Sequence, residues 1–355
     1  MDVTVLRPDE LTAADLGAWG AMQRADLALA NPFLASEFAR AVGHRRAAAR
    51  VARLSEGGLT VGFFPFERHR LGSGKPIGSG FCDCQGLIHR PGLDWDAAAL
   101  LKACGLALWE YDHLTVGQAP FEIAGTPRAR VASPVMELNG GHRAYLERLR
   151  HKVVRAARAQ ERRLTQDAGP LRLEFHTPDP VLLDTLILWK SDQQRSKGRR
   201  NILSHAWFLA ILRELFDLPS ESCSGTLSVL RAGGTPVAML YGLRSKEVYA
   251  TWFPTYDTRF AKYSPGILLH LKLAEAAAER GVTHIDMGKG TSRYKDALKT
   301  TDLSVTEGYV GRHTPGAMLC RLRMASDRTA HEAINANPRV HRAVVRAVDA
   351  LDRLR

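Results

Sequence analysis

Tyr256-Asp257-Thr258-Arg259-Phe260-Ala261-Lys262-Tyr263-Ser264-Pro265-Gly266-Ile267 is the stretch on which the fold turns. Before it, Glu247–Phe253 reads as a strand, rich in β-formers such as Tyr249 and Trp252. After it, Ile267–Arg280 places Ile267, Leu268, Leu271, Ala274 and Ala278 at helical spacing, and Gly281 suits the C′ position. Between them lies a loop with two cations, Arg259 and Lys262. Ser264 suits an N-cap, and Pro265 suits the first helical position, where no N–H is needed. Gly266 leaves the helix start open to close approach. Free amides and the helix dipole at such a start favour a phosphate. An ordinary strand-to-helix turn with a good cap explains the same residues.

Working outward, Thr283-His284-Ile285-Asp286-Met287-Gly288-Lys289-Gly290-Thr291-Ser292-Arg293-Tyr294-Lys295 reads as strand, Gly-Lys-Gly loop and short helix. It is not a phosphate-binding P-loop. Thr283 stands where the first glycine is required, and Gly290 follows Lys289 where Ser or Thr is needed. Leu71–Gly80 is also Gly-rich, but no helix follows at the right place, so it reads as a loop. There is no Gly-x-Ser-x-Gly elbow and no His-Glu-x-x-His. The thirteen histidines show no paired metal-ligand spacing, so no metal is expected.

The chain of 355 residues is long enough for two domains. Its first half reads as β-α-α-β-β-(β)-α-β-β, with Ser55-Glu56-Gly57-Gly58 as a hairpin turn. A basic helix is expected over 143–163, and Ala168-Gly169-Pro170 breaks it. The second half repeats the order of the first. The expectation is an α/β fold with mixed sheets: two tandem domains, 1–140 and 166–325, a linker helix at 141–165, and a helical tail at 326–355.

The formal net charge is +12, concentrated in 143–163 and after Arg312. That charge steers polyanions without naming one. No run of about 18 apolar residues occurs, so no membrane span is expected. Met1-Asp2-Val3 opens without an apolar signal core. Five sparsely spaced cysteines do not suit a disulfide framework, and Cys82 and Cys84 sit closer than usual zinc spacing. A reduced, cytoplasmic protein is the expectation.

At these stretches the sequence resembles the CelD-like acetyltransferases of the GNAT superfamily, similar in architecture to FemX-type peptidyl transferases with two GNAT-like domains. Asn31-Pro32-Phe33, Asp83 within Cys82-Asp83-Cys84, and Trp189, Lys190 and Gln193 carry part of the resemblance. Tyr256-Asp257, Tyr263-Ser264-Pro265-Gly266, Asp286, Gly288, Tyr294 and Lys295 carry the rest, and the match is specific over 235–298. The resemblance implies an acyl-CoA donor whose pyrophosphate sits at Lys262, Tyr263, Ser264, Pro265, Gly266 and Ile267. Strands 247–256 and 283–287 would splay, with the pantetheine arm in the gap pairing like an added strand. Tyr294 would protonate the leaving thiolate, or else pack as a buried tyrosine. Lys295 would bind a phosphate or substrate carboxylate, or lie on the surface. Asp286 would orient the amine or act as base through water, or cap the following loop. Asp83, Trp189, Lys190, Gln193, Trp252 and Tyr256 are the substrate-binding candidates.

Three functional readings follow. The first is an N-acyltransferase moving an acyl group from acyl-CoA to the amine of a small molecule, saccharide or peptide. The second takes its acyl group from acyl carrier protein or aminoacyl-tRNA, both polyanions. The third is a non-enzymatic polyanion binder acting through 143–163 and the tail. No helix-turn-helix or aromatic-basic platform is present, which speaks against nucleic acid.

Overall fold

The structure is a computed structural model that describes residues 1–199 and 201–336. The first half runs β1 Asp2–Leu6, α1 Ala13–Ala25, α2 Ser36–Gly43, β2 Ala49–Glu56, β3 Leu59–Arg68, β4 Ser73–Pro76 and β5 Ile88–His89. It continues through α3 Ala97–Ala103, β6 Leu108–Leu114, α4 Ala119–Ala124 and β7 Thr126–Glu137. Two helices, α5 Gly141–Arg148 and α6 His151–Ala168, join it to the second half. There follow β8 Leu171–Glu174, α7 Pro180–Ser196, α8 Ala206–Phe216, β9 Ser224–Ala232, β10 Thr235–Arg244 and β11 Val248–Tyr256. The remainder is α9 Pro265–Ala278, β12 His284–Asp286, α10 Arg293–Leu298, β13 Thr301–Gly311 and α11 Pro315–Ala336. The tail beyond 336, expected to be helical, lies outside the described residues.

The described strands form one mixed sheet of 13, ordered β1-β2-β3-β4-β6-β13-β7-β12-β11-β10-β9-β8, with β5 beside β3. The architecture is α/β, as the sequence leads one to expect. Strands from the two halves interleave. β13 lies between β6 and β7, and β7 also pairs with β12, Val135 opposite Asp286. Only β4–β6 and β11–β12 are parallel among the described pairs.

The pleat assigns the core. On β3, Phe63 enters an apolar cluster shared by both halves, and Phe64 enters a second cluster, built mostly by the first half with Val310 of β13. On β10, Met239 and Tyr241 face that shared cluster, while Ala238 and Leu240 face a third one, to which Met136 of β7 and Tyr145 of α5 also belong. Strands buried on both faces read as continuous apolar runs. The single basic helix expected over 143–163 is in fact two. Leu149 and Arg150 are extended, at φ −76°, ψ 153° and φ −61°, ψ 127°, and the chain turns there.

Candidate active site

β11 and β12 pair over only three positions, Val248↔His284, Tyr249↔Ile285 and Ala250↔Asp286. β12 ends at Asp286, so beyond Ala250 β11 runs on with no partner on that side. Pro254, in the stretch of β11 that pairs with β10 alone, has no N–H to offer a strand on either side. Its carbonyl instead accepts a hydrogen bond from Lys190 Nζ at 2.8 Å. A cavity of about 710 Å³ opens in the gap, reaching from Thr251 on β11 to Tyr294 and Lys295 on α10.

The start of α9 forms one side of the cavity. A 3-10 turn, Thr258–Tyr263, ends on Ser264, whose N–H closes on Ala261 O at 3.1 Å. Ser264 is therefore held at φ 52°, ψ 51°, in the left-handed region. A capping side chain requires an extended backbone, so Ser264 starts the helix without the side-chain bond expected of it. Pro265 takes the first helical position, as read from the sequence. A Cβ placed on Gly266 would meet nothing nearer than Tyr256 Cδ1, at 4.0 Å.

Ser264, Pro265, Gly266 and Ile267 line the cavity, together with Tyr256. The 3-10 turn directs Lys262 and Tyr263 elsewhere. Lys262 is exposed over the Tyr263 ring, 4.8 Å from its centroid, and lies 3.8 Å from Asp167. Tyr263 is buried, and its hydroxyl donates to the Asp167 carboxylate. Arg259 is tied to Asp257 at 2.6 Å.

Asp286 ends β12 and is buried. Its carboxylate accepts from Asn31 Nδ2 at 3.1 Å, Ser133 Oγ at 2.9 Å and the Gly288 amide at 2.9 Å. It thus ties both halves to the loop that follows. Lys295 Nζ clamps that loop from the other side, donating to the carbonyls of Gly288, Lys289 and Gly290 at 2.8, 3.2 and 3.3 Å. Burial lowers the Lys295 pKa, opposed by the negative charges of Asp83 and Asp286. Gly288 needs its freedom: φ is 76°, and an added Cβ would lie 3.3 Å from Asp83 Oδ2. Tyr294 lines the cavity, and burial raises its pKa.

The first half supplies the opposite wall through Asp83 and His113. Burial pushes Asp83 up to about 6, against the pull of His113 and Lys295, with Asp286 adding to the rise. His113 stands 3.5 Å from Asp83 through Nε2 and 3.0 Å from Asp112 through Nδ1. Asp112 falls to about 2: burial opposes the change, and the His113 and Gln85 contacts prevail. Cys82 and Cys84, on either side of Asp83, are buried free thiols.

Along α7, Lys190 and Gln193 line the cavity, and Trp189 packs on the shared core instead. Burial, with Lys197 and Arg199 adding to it, lowers Lys190 to about 8. Trp252 lines the cavity and packs edge-on to Phe33 and Phe208, with Nε1 donating to Phe81 O at 3.1 Å. His113, Lys197, Arg199 and His270 also line the cavity, and the sequence did not single them out. No group of three or more metal-ligating side chains occurs among the described residues. None of the described helices is long and apolar enough to cross a membrane.

Residues 151–296 match the acetyltransferase (GNAT) domain family. The fold of the chain is similar to the crystal structure of FemX, at TM-score 0.61 and 10% identity, over 90% of this chain and 99% of that one. It is similar to L-PGS from Bacillus licheniformis, at TM-score 0.53 and 13% identity, over 88% and 96% of the two chains. A third similarity is to the C-terminal domain of a putative lysylphosphatidylglycerol synthetase from Agrobacterium fabrum, at TM-score 0.52 and 12% identity, over 80% and 90%. No curated protein sequence matches the chain.

Proposed function

We propose that the protein is an N-acyltransferase that moves an acyl group from acyl-CoA to the amine of a small molecule, saccharide or peptide, in the manner of the CelD-like enzymes its sequence resembles. The observation that carries this reading is the gap between β11 and β12, with the open start of α9 beside it. The edge of Thr251–Tyr256 on the β12 side, opposite its pairing with β10, offers the pantetheine arm a place to pair. The Gly266 end of α9 suits the pyrophosphate. Lys262 and Tyr263 support the turn from behind, and Ser264, Pro265, Gly266 and Ile267 face the donor.

The acceptor amine then enters from the side of Asp83 and His113. Asp83 holds it by charge, with Gln193, Trp252 and Tyr256 shaping its surroundings and Trp189 bracing α7. The nitrogen attacks the thioester carbonyl, the C–N bond forms and the C–S bond breaks. Burial keeps Tyr294 protonated, so it can give its proton to the thiolate. Asp286 and Lys295 position the 288–290 loop beneath the reaction from its two sides. Five free cysteines, all buried, agree with a cytoplasmic setting.

Isothermal titration with acetyl-CoA and longer acyl-CoAs tests the donor. Saturable binding is expected, and none at high micromolar concentration would sink the reading. A donor carried on acyl carrier protein or tRNA is the second reading. Exposed Lys197 and Arg199 at the cavity favour it, as do exposed Arg155, Arg158 and Arg162 on α6. Turnover of free acyl-CoA would demote it.

A further inference from the structure

His270 sits one turn into α9 among Leu268, Leu269 and Leu273, and only 1% of it is exposed. Its Nδ1 lies 2.7 Å from Gly266 O. A carbonyl only accepts, so Nδ1 carries the hydrogen, and in the neutral ring Nε2 keeps its lone pair. That Nε2 is buried and has no hydrogen-bond partner among the described residues, and the residue lines the cavity. A buried acceptor left unpaired destabilises the fold, and an apolar residue in the same place avoids that cost. The groups around it are Tyr294, 5.4 Å away ring to ring, and Lys295 on α10, with Asp83 and Asp286 acting on Lys295 from beyond, and Tyr256 beside Gly266. Burial first, and the Lys295 charge with it, disfavours an imidazolium there, against the Gly266 bond.

We propose that His270 is a further catalytic residue of this cavity, its Nε2 lone pair taking the proton that the acceptor amine loses. This rests on the acyl-transfer reading above. As the nitrogen lone pair forms the C–N bond, the carbonyl π pair moves to oxygen and the N–H proton passes to Nε2. Collapse of the tetrahedral species breaks C–S, and the thiolate takes the Tyr294 proton. The imidazolium then returns its proton to the adjacent tyrosinate. One proton has moved from nitrogen to sulfur, and both side chains end as they began. The nearby Lys295 charge makes the imidazolium short-lived, which suits a group that must pass its proton on.

The test uses the full chain with acetyl-CoA and methylamine as probes. His270→Asn keeps an amide donor near Nδ1 and removes Nε2; His270→Gln places an amide near Nε2. Thiol release should fall about 100-fold in kcat for both, within the range of general-base catalysis. The acetyl-CoA Kd from titration and the methylamine KM should stay within about twofold of wild type. In ¹⁵N-histidine spectra at pH 7, His270 should show a protonated Nδ1 and a bare Nε2. A protonated Nε2 at pH 7, or wild-type kcat in both variants, overturns the proposal. Failure of wild type and variants alike to bind acetyl-CoA overturns the donor reading instead, and the spectrum still decides the state of His270.

Discussion

Gly266→Glu separates the donor site from the fold. The position is helical, and its Cβ direction is open to 4.0 Å, so the larger side chain meets no steric bar. An acidic residue in a first turn also suits the helix dipole. The substitution therefore leaves folding intact and puts a carboxylate where the pyrophosphate is proposed to sit. Two unit charges about 4 Å apart repel by about 4 kcal/mol at an effective dielectric near 20. At about 1.4 kcal/mol per decade that is about three decades of affinity. Water at the open mouth and retreat of the side chain reduce the figure, so a loss of at least ~100-fold in acyl-CoA Kd is expected. Gly266→Ala is the control. It should bind within a few fold of wild type and gain about 0.5–1 kcal/mol from the stiffer helix, raising Tm by about 2 °C. Titration calorimetry and thermal unfolding read both. Wild-type affinity in a folded Gly266→Glu would refute the placement of the pyrophosphate.

Asp83 has a folded pKa raised to about 6, against about 3.9 unfolded. The unfolded chain therefore loses this proton first as pH climbs, and stability should fall between about pH 4 and pH 6. Asp83→Asn should remove that part of the slope in denaturant titrations and raise the KM for the amine; an unchanged slope counts against the burial of this carboxyl. Lys190, lowered to about 8, should react with acetic anhydride with a midpoint near pH 8 by peptide mass mapping, where an exposed lysine titrates near 10.4. Its contribution makes stability rise with pH between those two values, because only the unfolded chain then holds the proton. A reaction midpoint near 10.4 would show that Lys190 is solvated. Asn31→Ala and Asp286→Ala should each destabilise the chain, by about 1 and about 3 kcal/mol, with a coupling of about 1 kcal/mol in a double-mutant cycle. Strict additivity would show that the 3.1 Å contact between them is not a stabilising bond.

What the sequence disclosed was local. Pro265 and Gly266 mark a helix start by their own backbone chemistry, and the structure has one there. The β-formers of Glu247–Phe253 disclosed β11, which the structure places at Val248–Tyr256. The site itself depends on distant pairings. Asp286 finds Asn31 and Ser133, 255 and 153 residues away in the chain, and no spacing rule connects them. His270 sits in a run of leucines at helical spacing and reads as core. Only its bond to Gly266 O and its empty Nε2 set it apart. Ser264 shows a different failure. A serine before Pro-Gly reads as a cap, yet the 3-10 turn before it fixes a left-handed backbone from which the hydroxyl does not reach the first-turn amides. That turn also aims Lys262 and Tyr263 away from the cavity their sequence position suggested.

The interleaved sheet explains how one cavity can use walls from both halves. Asp83 and His113 come from the first half, and Tyr294, Lys295 and the start of α9 from the second. Side chains meeting across a soft interface would drift, and a misplacement of about 1 Å costs about 100-fold in a reaction that needs aligned atoms. Here β12 is bonded to β7, β7 to β13 and β13 to β6, so backbone ladders cross between the halves in both directions. Asp286 lies opposite Val135 in the first of these ladders, and its carboxylate adds Asn31 and Ser133 to the same junction. Moving one half against the other would break several ladder bonds and strip a buried carboxylate of its donors. The distance between the two walls is therefore set by the sheet. Any opening that admits a bulky acceptor has to come from lining segments outside those ladders, such as the 288–292 loop or the residues after α7, Lys197 and Arg199.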